Sequence, residues 1–273
     1  MICDFSLAQR LEMADSTAAR RCGEALQRAH PEMNACTERI GGGTAIFAGV
    51  GSPITQAIGL GMQGPVTPED MDRLAHFFES RGSRVEIECS PFCHPSLREQ
   101  IDTRGYRVLE WSNVLCQRID PGATAPPPSV GVEIRKAGPD EAELWCTLLC
   151  MGFADEVGGD AAMTLIPAGR ALFGAAMAGF LAYVDGQAAG GGVVWIHEGV
   201  AGVQGASVLP AFRRRGAQSA LLQARIDFAR QHGCDLAYTI TGPGTGSQRN
   251  VERAGFRTVY TRTKLYKPQP ATS

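Results

Sequence analysis

The feature that most narrows what this 273-residue chain can fold into is an ending that occurs twice. RGSRVEIECSPFCHPSLREQIDTRGYRVLEWSNVLCQ closes the first half and HGCDLAYTITGPGTGSQRNVERAGFRTVYTRTKLYK closes the second. Each passes through a helix-stopping glycine, a short strand, a loop, a polar helix, a glycine–aromatic pair and a final alternating strand. The intervals agree: Gly82 and Gly105 lie 23 positions apart, Gly233 and Gly255 22, and Tyr106 answers to Phe256. An ordered series of this kind is the mark of a duplicated supersecondary unit. Between the halves stands DPGATAPPPSV, a Pro/Ala/Gly-rich stretch without apolar period, which reads as an extended linker. The predicted boundaries are 1–119 for a first lobe, 120–131 for the linker and 132–273 for a second lobe.

A helix precedes each shared ending. In the first half Thr67 and Pro68 are an N-cap and first helical position for PEDMDRLAHFFESRG. In the second half the helix spans about Gly216 to Gln231. Leu221, Ala224 and Phe228 form one apolar stripe with Leu222, Ile226 and Ala229 beside it, and Arg225, Asp227 and Arg230 take the remaining surface. Two strand-like segments come before each helix, TAIFAGV and ITQAIGLG, then GFLAYVDGQAAGGGVVWIH and GVAGVQGASVL. Their short connections favour antiparallel hairpins. The predicted fold class is α+β: a mixed, mainly antiparallel sheet flanked by helices, present twice in tandem.

The net charge of −2 supplies no overall basic field, so nucleic acid is not an expected partner. No apolar run reaches the roughly 18 residues that span a bilayer, and MICDFSLAQRLEMADS lacks the pattern of a signal peptide, so no membrane association and a cytoplasmic location are expected. The nine scattered cysteines fit reduced thiols. CSPFCH, with Cys89, Cys93 and His94, has no second ligand pair at zinc-like spacing, and no metal is expected. The sequence sets no oligomeric state.

Against this mild background VLPAFRRRGAQSALL stands out. Three arginines in the first turn of a helix repel one another and meet the positive end of its dipole, a cost that an anionic ligand would relieve. A strand ending at Leu209, a short turn and a helix opening at Gly216 form a strand–loop–helix anion site, since the first amides of a helix have no intrahelical partners. Gly216 permits positive φ and close approach, while Ala217 and Ser219 keep the approach open. Arg213, Arg214 and Arg215 would flank the bound phosphates.

This stretch resembles the acetyl-CoA motif of the GCN5-related N-acetyltransferase family, V-x-P-x-x-R-x-x-G-x-G/A, through Val208, Pro210, Arg213 and Gly216. Gln218 departs from the last small position. The resemblance covers Val132 to Lys267 and implies two tandem acyl-CoA N-acyltransferase-like domains, the first degenerate, with acetyl-CoA as co-substrate held by Val208, Leu209, Arg213, Arg214, Arg215, Gly216, Ala217, Gln218, Ser219 and Asn250. Ser247 is a second polar candidate beside Asn250. The implied activity is transfer of an acetyl group to an amine, with a small molecule as the expected acceptor. A non-catalytic acyl-CoA-binding or sensor protein is the alternative. Where many members carry a tyrosine acid, five residues before Phe256, this chain has Val251. No catalytic base is assigned, although His197 and Glu198 sit on a neighbouring hairpin. GLGMQG, Gly59 to Gly64, imitates a dinucleotide fingerprint, but Pro65 and Pro68 postpone the helix beyond it, and a dinucleotide site there is the weaker reading.

Overall fold

The computed structural model describes residues 2–123, 129–154 and 165–268. In chain order these form α1 (Phe5–Ala29), β1 (Cys36–Ile40), β2 (Gly43–Phe47), β3 (Gln56–Ile58), α2 (Pro68–Glu79), β4 (Glu86–Cys89), α3 (Pro95–Thr103) and β5 (Arg107–Arg118). There follow β6 (Val132–Lys136), α4 (Ala142–Met151), α5 (Ile166–Ala175), β7 (Ala178–Val184), β8 (Gln187–His197), β9 (Val200–Gly202) and β10 (Ala206–Val208). The chain closes with α6 (Ala217–Gln231), β11 (Leu236–Thr241), α7 (Gly246–Arg253) and β12 (Arg257–Tyr266). Among the described residues no helix is long and apolar enough to cross a membrane.

Two compact units result: unit 1, of Met1–Leu115, Ile240–Arg249 and Arg257–Ser273, and unit 2, of Cys116–Thr239 and Asn250–Phe256. Within unit 1 the strand order is β1-β2-β3-β4-β12-β5, and within unit 2 it is β11-β9-β8-β7-β6 with β10 on β8. In each, an antiparallel meander is followed by one parallel pairing, β3 with β4 and β9 with β11. The hairpins have a local cause. Gly41–Gly42, Asp185–Gly186 and Glu198–Gly199 all carry positive φ at both turn positions, the geometry that matches the twist of antiparallel strands. The glycines that mark the repeat, Gly82, Gly105, Gly233 and Gly255, share a left-handed conformation as well. Helix α2 starts where the sequence puts it, with Thr67 and Asp70 forming a reciprocal capping box. In unit 1, α1 lies against β1–β3; in unit 2, α4 and α6 lie against β7 and β8.

The units are not consecutive halves. Strand β12, which the sequence places at the end of the second lobe, belongs to unit 1 and pairs antiparallel with β4, Thr263 opposite Cys89 and Leu265 opposite Ile87. Of the predicted linker 120–131, residues 124–128 lie outside the described residues, as does the last residue of PDEAELWCTLLCMGFAD, the helix that the family resemblance implies after the linker. The described part of that segment begins with a 3-10 turn at Pro139–Glu141 followed by α4.

Charge explains why β12 sits in unit 1. The Arg262 side chain is only 4% exposed and contacts Asp15 Oδ2 at 2.8 Å, Glu88 Oε2 at 3.0 Å and Glu12 Oε2 at 3.3 Å. Tyr260, two residues earlier on the same face, donates its hydroxyl to Glu12 Oε1 at 2.8 Å. Burial opposes the Arg262 charge, but Glu88, Asp15 and Glu12 outweigh it and hold the guanidinium protonated. Three carboxyl groups share this one guanidinium. Burial therefore pushes Glu12 up from 4.5 to about 7, with Arg262 pulling the other way.

Removing the cation leaves the carboxyl groups buried without it. Arg262→Met is expected to lower stability by about 3–5 kcal/mol, measured by urea unfolding at pH 7. The raised Glu12 carboxyl gives a pH signature of definite sign. Its contribution is complete below the unfolded value near 4.5 and is lost as pH rises through about 7. Glu12→Gln should remove that loss, so the wild type should weaken relative to Glu12→Gln between pH 5 and pH 8 by a margin on the order of 1–3 kcal/mol. Parallel unfolding curves at both pH values check this.

Candidate functional site

The central event in unit 2 is a strand that leaves its neighbour. β9 runs parallel to β11 with Val200 to Gly202 opposite Leu236 to Tyr238. The last link is Val203 N–H to Tyr238 O, 3.0 Å. Beyond it the chain stays with β8 alone, as β10. The register on β8 changes by one across this point. Trp195 pairs with Gly202, whereas Gly192 pairs with Ala206, which leaves one extra residue in Val203–Gly205. That is a β-bulge, a device that re-aims the strand.

The bulge decides which backbone groups face the gap. Val193 N–H donates to Gly205 O at 3.2 Å, and Leu209 N–H donates to Ala189 O at 2.8 Å. In an antiparallel ladder bonded positions alternate, so Gly205, Ser207 and Leu209 turn their backbone toward β8 and Val208 turns away from it. Of the two predicted strand residues, Val208 thus aims its N–H toward the side on which β11 runs. The Leu209 amide is already engaged.

Two features that sequence reasoning missed shape this place. Arg225, predicted on the polar surface of α6, is 1% exposed. Its guanidinium donates to the carbonyls of Leu221 at 3.0 Å, Val193 at 3.3 Å and Gln204 at 3.4 Å, and also to Val203 O. Burial lowers its pKa to about 9. The second feature is Gly190–Gly192 in the middle of β8. A Cβ on Gly190 would lie 2.3 Å from Ser207 O, on Gly191 2.7 Å from the Trp145 ring nitrogen, and on Gly192 3.1 Å from Arg225 Nε. The available signal was the run itself, because glycine inside a strand marks close approach of another group. Trp145 of α4 donates its ring N–H to Phe180 O at 3.1 Å, and Ser207 Oγ donates to Leu149 O at 2.8 Å, which fixes the end of α4 over β10.

The loop after β10 is a 3-10 turn, Pro210–Phe212, then Arg213 in extended backbone, Arg214 at φ 62° and Gly216 at φ 87°. A side chain at Gly216 would also meet Ser129 Oγ, 2.3 Å from the Cβ position. The three arginines are not equivalent. Arg213 turns back, Nε to Val208 O at 3.2 Å and a terminal nitrogen to Gly152 O at 2.8 Å. Arg215 pairs with Asp185. Arg214 is exposed. Helix α6 opens at Ala217 with no side chain capping its first amides. Ala217 is buried, Gln218 half-buried and Ser219 exposed. Val208 to Ser219 therefore form one continuous strand–loop–helix. Asn250 and Ser247 are exposed on α7, where the Asn250 amide oxygen accepts from Arg253 at 3.5 Å. Val251 is buried. His197 and Glu198 lie at the β8–β9 turn, six residues along β8 from the Gly191 that faces Ser207, roughly 20 Å away at about 3.3 Å per residue.

The corresponding place in unit 1 is closed. Gly61 N–H donates to Gly41 O and Gly61 O accepts from His94 N–H, both 2.9 Å. A Cβ on Gly59 would press on Ser16 and one on Gly61 on the His94 nitrogen, at 3.1 and 3.2 Å. Gly59 and Gly61 of GLGMQG thus let α1 and the α3 loop pack, and the first amides of α2 are served by its own capping box. Cys89 and Cys93 have their sulfurs 3.8 Å apart, His94 Nδ1 faces Ser96 Oγ at 3.0 Å, and among the described residues no three His, Cys, Asp or Glu side chains converge as metal ligands.

Comparison with known proteins bears on the family and the fold. Residues 153–256 match the acetyltransferase (GNAT) family. Among solved structures, a GCN5-related N-acetyltransferase from Kribbella flavida superposes with TM-score 0.65 and 17% identity over 97% of each chain. A tandem GNAT protein from the clavulanic acid biosynthesis pathway superposes with TM-score 0.57 and 16% identity, over 85% of this chain and 82% of that one. At such identities the likeness is one of fold. No curated protein matches the sequence. The chain thus carries a GNAT-family domain over residues 153–256 and has the fold of a tandem GNAT protein.

Proposed function

We propose that unit 2 binds acetyl-CoA and transfers its acetyl group to an amine, with a small molecule as acceptor. The observation that carries this reading is the divergence of β10 from β11, with the Val208 N–H facing the gap and an uncapped helix following. In this reading the Val208 N–H donates to the thioester carbonyl and stabilises the charge that develops on its oxygen. The N–H groups of Ala217, Gln218 and Ser219 receive the pyrophosphate, with Gly216 turning the chain toward it. Arg214 and Arg215 supply charge at the rim. Arg213 holds the loop to β10 and to Gly152, and Leu209 holds it to β8. Asn250 is the polar contact from α7.

The amine attacks as the neutral base: its nitrogen bonds to the carbonyl carbon, the C–S bond breaks, and the amine proton passes to water. Val251 is buried and apolar, so the thiolate leaves without an acid from that position. His197 stands too far along β8 to serve as base. Positioning of the two reactants then supplies the acceleration, a source that reaches about 7–11 kcal/mol in well-oriented systems. The same Val251 favours a second reading, an acyl-CoA-binding protein that does no chemistry.

Calorimetric titration of acetyl-CoA is expected to show about one site per chain. Arg214→Glu with Arg215→Glu reverses two exposed charges beside the phosphates and should weaken that binding by roughly tenfold. Undiminished affinity in the double variant, or no binding by the wild type, rejects the site. Release of free CoA thiol in the presence of a panel of primary amines separates the two readings: binding without release under every amine favours the non-catalytic one.

A further inference from the structure

We infer that Arg225 is a positioning residue that sets which backbone amide meets the thioester, an inference that rests on the acetyl-CoA reading of unit 2. A strand that leaves its parallel neighbour leaves its own carbonyls without ladder partners, and where such a carbonyl is buried another donor must serve it. At Val203 this happens at a single residue: its N–H makes the last bond to β11 while its carbonyl accepts from Arg225. The next carbonyl, Gln204 O, accepts from the same guanidinium, and so does Val193 O across on β8. A planar guanidinium with five N–H donors can serve three carbonyls on two strands together with one on its own helix, which an ammonium on a flexible stem cannot match.

The consequence lies in the register. The extra residue at Val203–Gly205 changes the pairing on β8 by one position. If the bulge anneals, the alternation beyond it reverses, Ser207 and Leu209 turn toward the gap, and the Val208 N–H turns into the ladder. Arg225 stabilises the bulged register and so keeps the Val208 N–H in the gap. Gly192 is the matching accommodation, since a Cβ there would lie 3.1 Å from Arg225 Nε and 3.2 Å from its Cζ. Arg225 touches no ligand in this account. Its effect passes through Val203, Gln204 and the strand.

The test compares acetyl-CoA with CoA itself by calorimetry, for wild type and Arg225→Met. Both ligands carry the pyrophosphate, and only acetyl-CoA carries the carbonyl. Arg225→Met is expected to weaken acetyl-CoA by about tenfold, the worth of one backbone hydrogen bond, and CoA by less than about threefold. A general loss of stability would lower the melting temperature and leave the ratio of the two affinities unchanged, and that outcome overturns the inference. A wild type that binds both ligands equally overturns it as well. A wild type that binds neither rejects the acetyl-CoA reading itself. Should Arg225→Met fail to fold, Arg225→Lys, which keeps a cation but lacks the planar fork that serves the carbonyls of Val203, Gln204 and Val193, carries the same expectation of a selective loss for acetyl-CoA. An unchanged ratio there overturns the inference in the same way.

Discussion

A sheet that opens along one edge must satisfy the carbonyls it exposes, and unit 2 is arranged around that requirement. Parallel pairing ends at Val203 and Tyr238. From there β10 leans on β8 through a register that contains one residue too many. Everything nearby follows from keeping that arrangement dry and paired. Gly190 to Gly192 remove the side chains that would block Ser207, Trp145 and Arg225. Ser207 turns its hydroxyl up into the last carbonyls of α4. Unit 1 reaches the same point after its own parallel pair, β3 with β4, and solves it by closure: the Gly61 carbonyl takes the His94 amide and the cleft fills with protein. One topology thus yields an open gap or a sealed one, depending on whether side chain or backbone reaches the freed carbonyls.

The two fully buried arginines show how different partners lead to different behaviour. Arg225 is surrounded by carbonyl dipoles, and burial lowers its pKa to about 9. Arg262 is surrounded by carboxyl groups, which hold it charged in spite of the same burial. Dipoles satisfy the N–H groups of a guanidinium with little compensation for its charge, whereas carboxylates offset the charge and bring their own desolvation. In unit 1 the surplus shows up on Glu12, whose carboxyl is pushed into the neutral range. The first arginine serves geometry at a strand divergence. The second fixes a strand from the far end of the chain among α1 and β4.

Much of the fold was legible because repeats, hairpin turns and helix punctuation are local. Gly82 with Gly105 and Gly233 with Gly255 announced the same connection twice, and all four adopt the left-handed backbone that only such turns require. Thr67 and Pro68 announced α2 by a cap formed within four residues. What failed to show was decided by distant partners. Helix α1 buries Glu12 and Asp15 on the same inner face as Leu11, Ala14, Ala18, Cys22 and Leu26, so charge lies where helical periodicity expects none. Its acidic positions make sense only beside Arg262, some 250 residues away in sequence. That same contact joins the ladder with β4 in holding β12 in unit 1. Arg225 looked like a solvent-facing charge because helical periodicity assigns charge to the outside, and it takes the carbonyls of a bulge in another element to bring it in.

The arginine run is where the structure changes the parts that the sequence put forward. Three adjacent cations at a helix start carry a repulsive cost, and a single anionic ligand was the simplest relief. The structure relieves part of it internally. Arg213 faces two carbonyls and Arg215 faces Asp185. Turning Arg214 through φ 62° points consecutive side chains apart. Only then does Gly216, also left-handed, deliver the chain into a helix whose first amides no side chain caps. The contrast with α2 is informative, because there Thr67 and Asp70 satisfy the same groups. On the acetyl-CoA reading, a helix end without a side-chain cap, behind a loop whose charges are partly compensated, would leave its first amides to the pyrophosphate. On that same reading, a loop in which Arg213 and Arg215 already have partners within the chain, beside a row of amides, would bind by geometry as much as by charge, as would suit a co-substrate that leaves after every turnover.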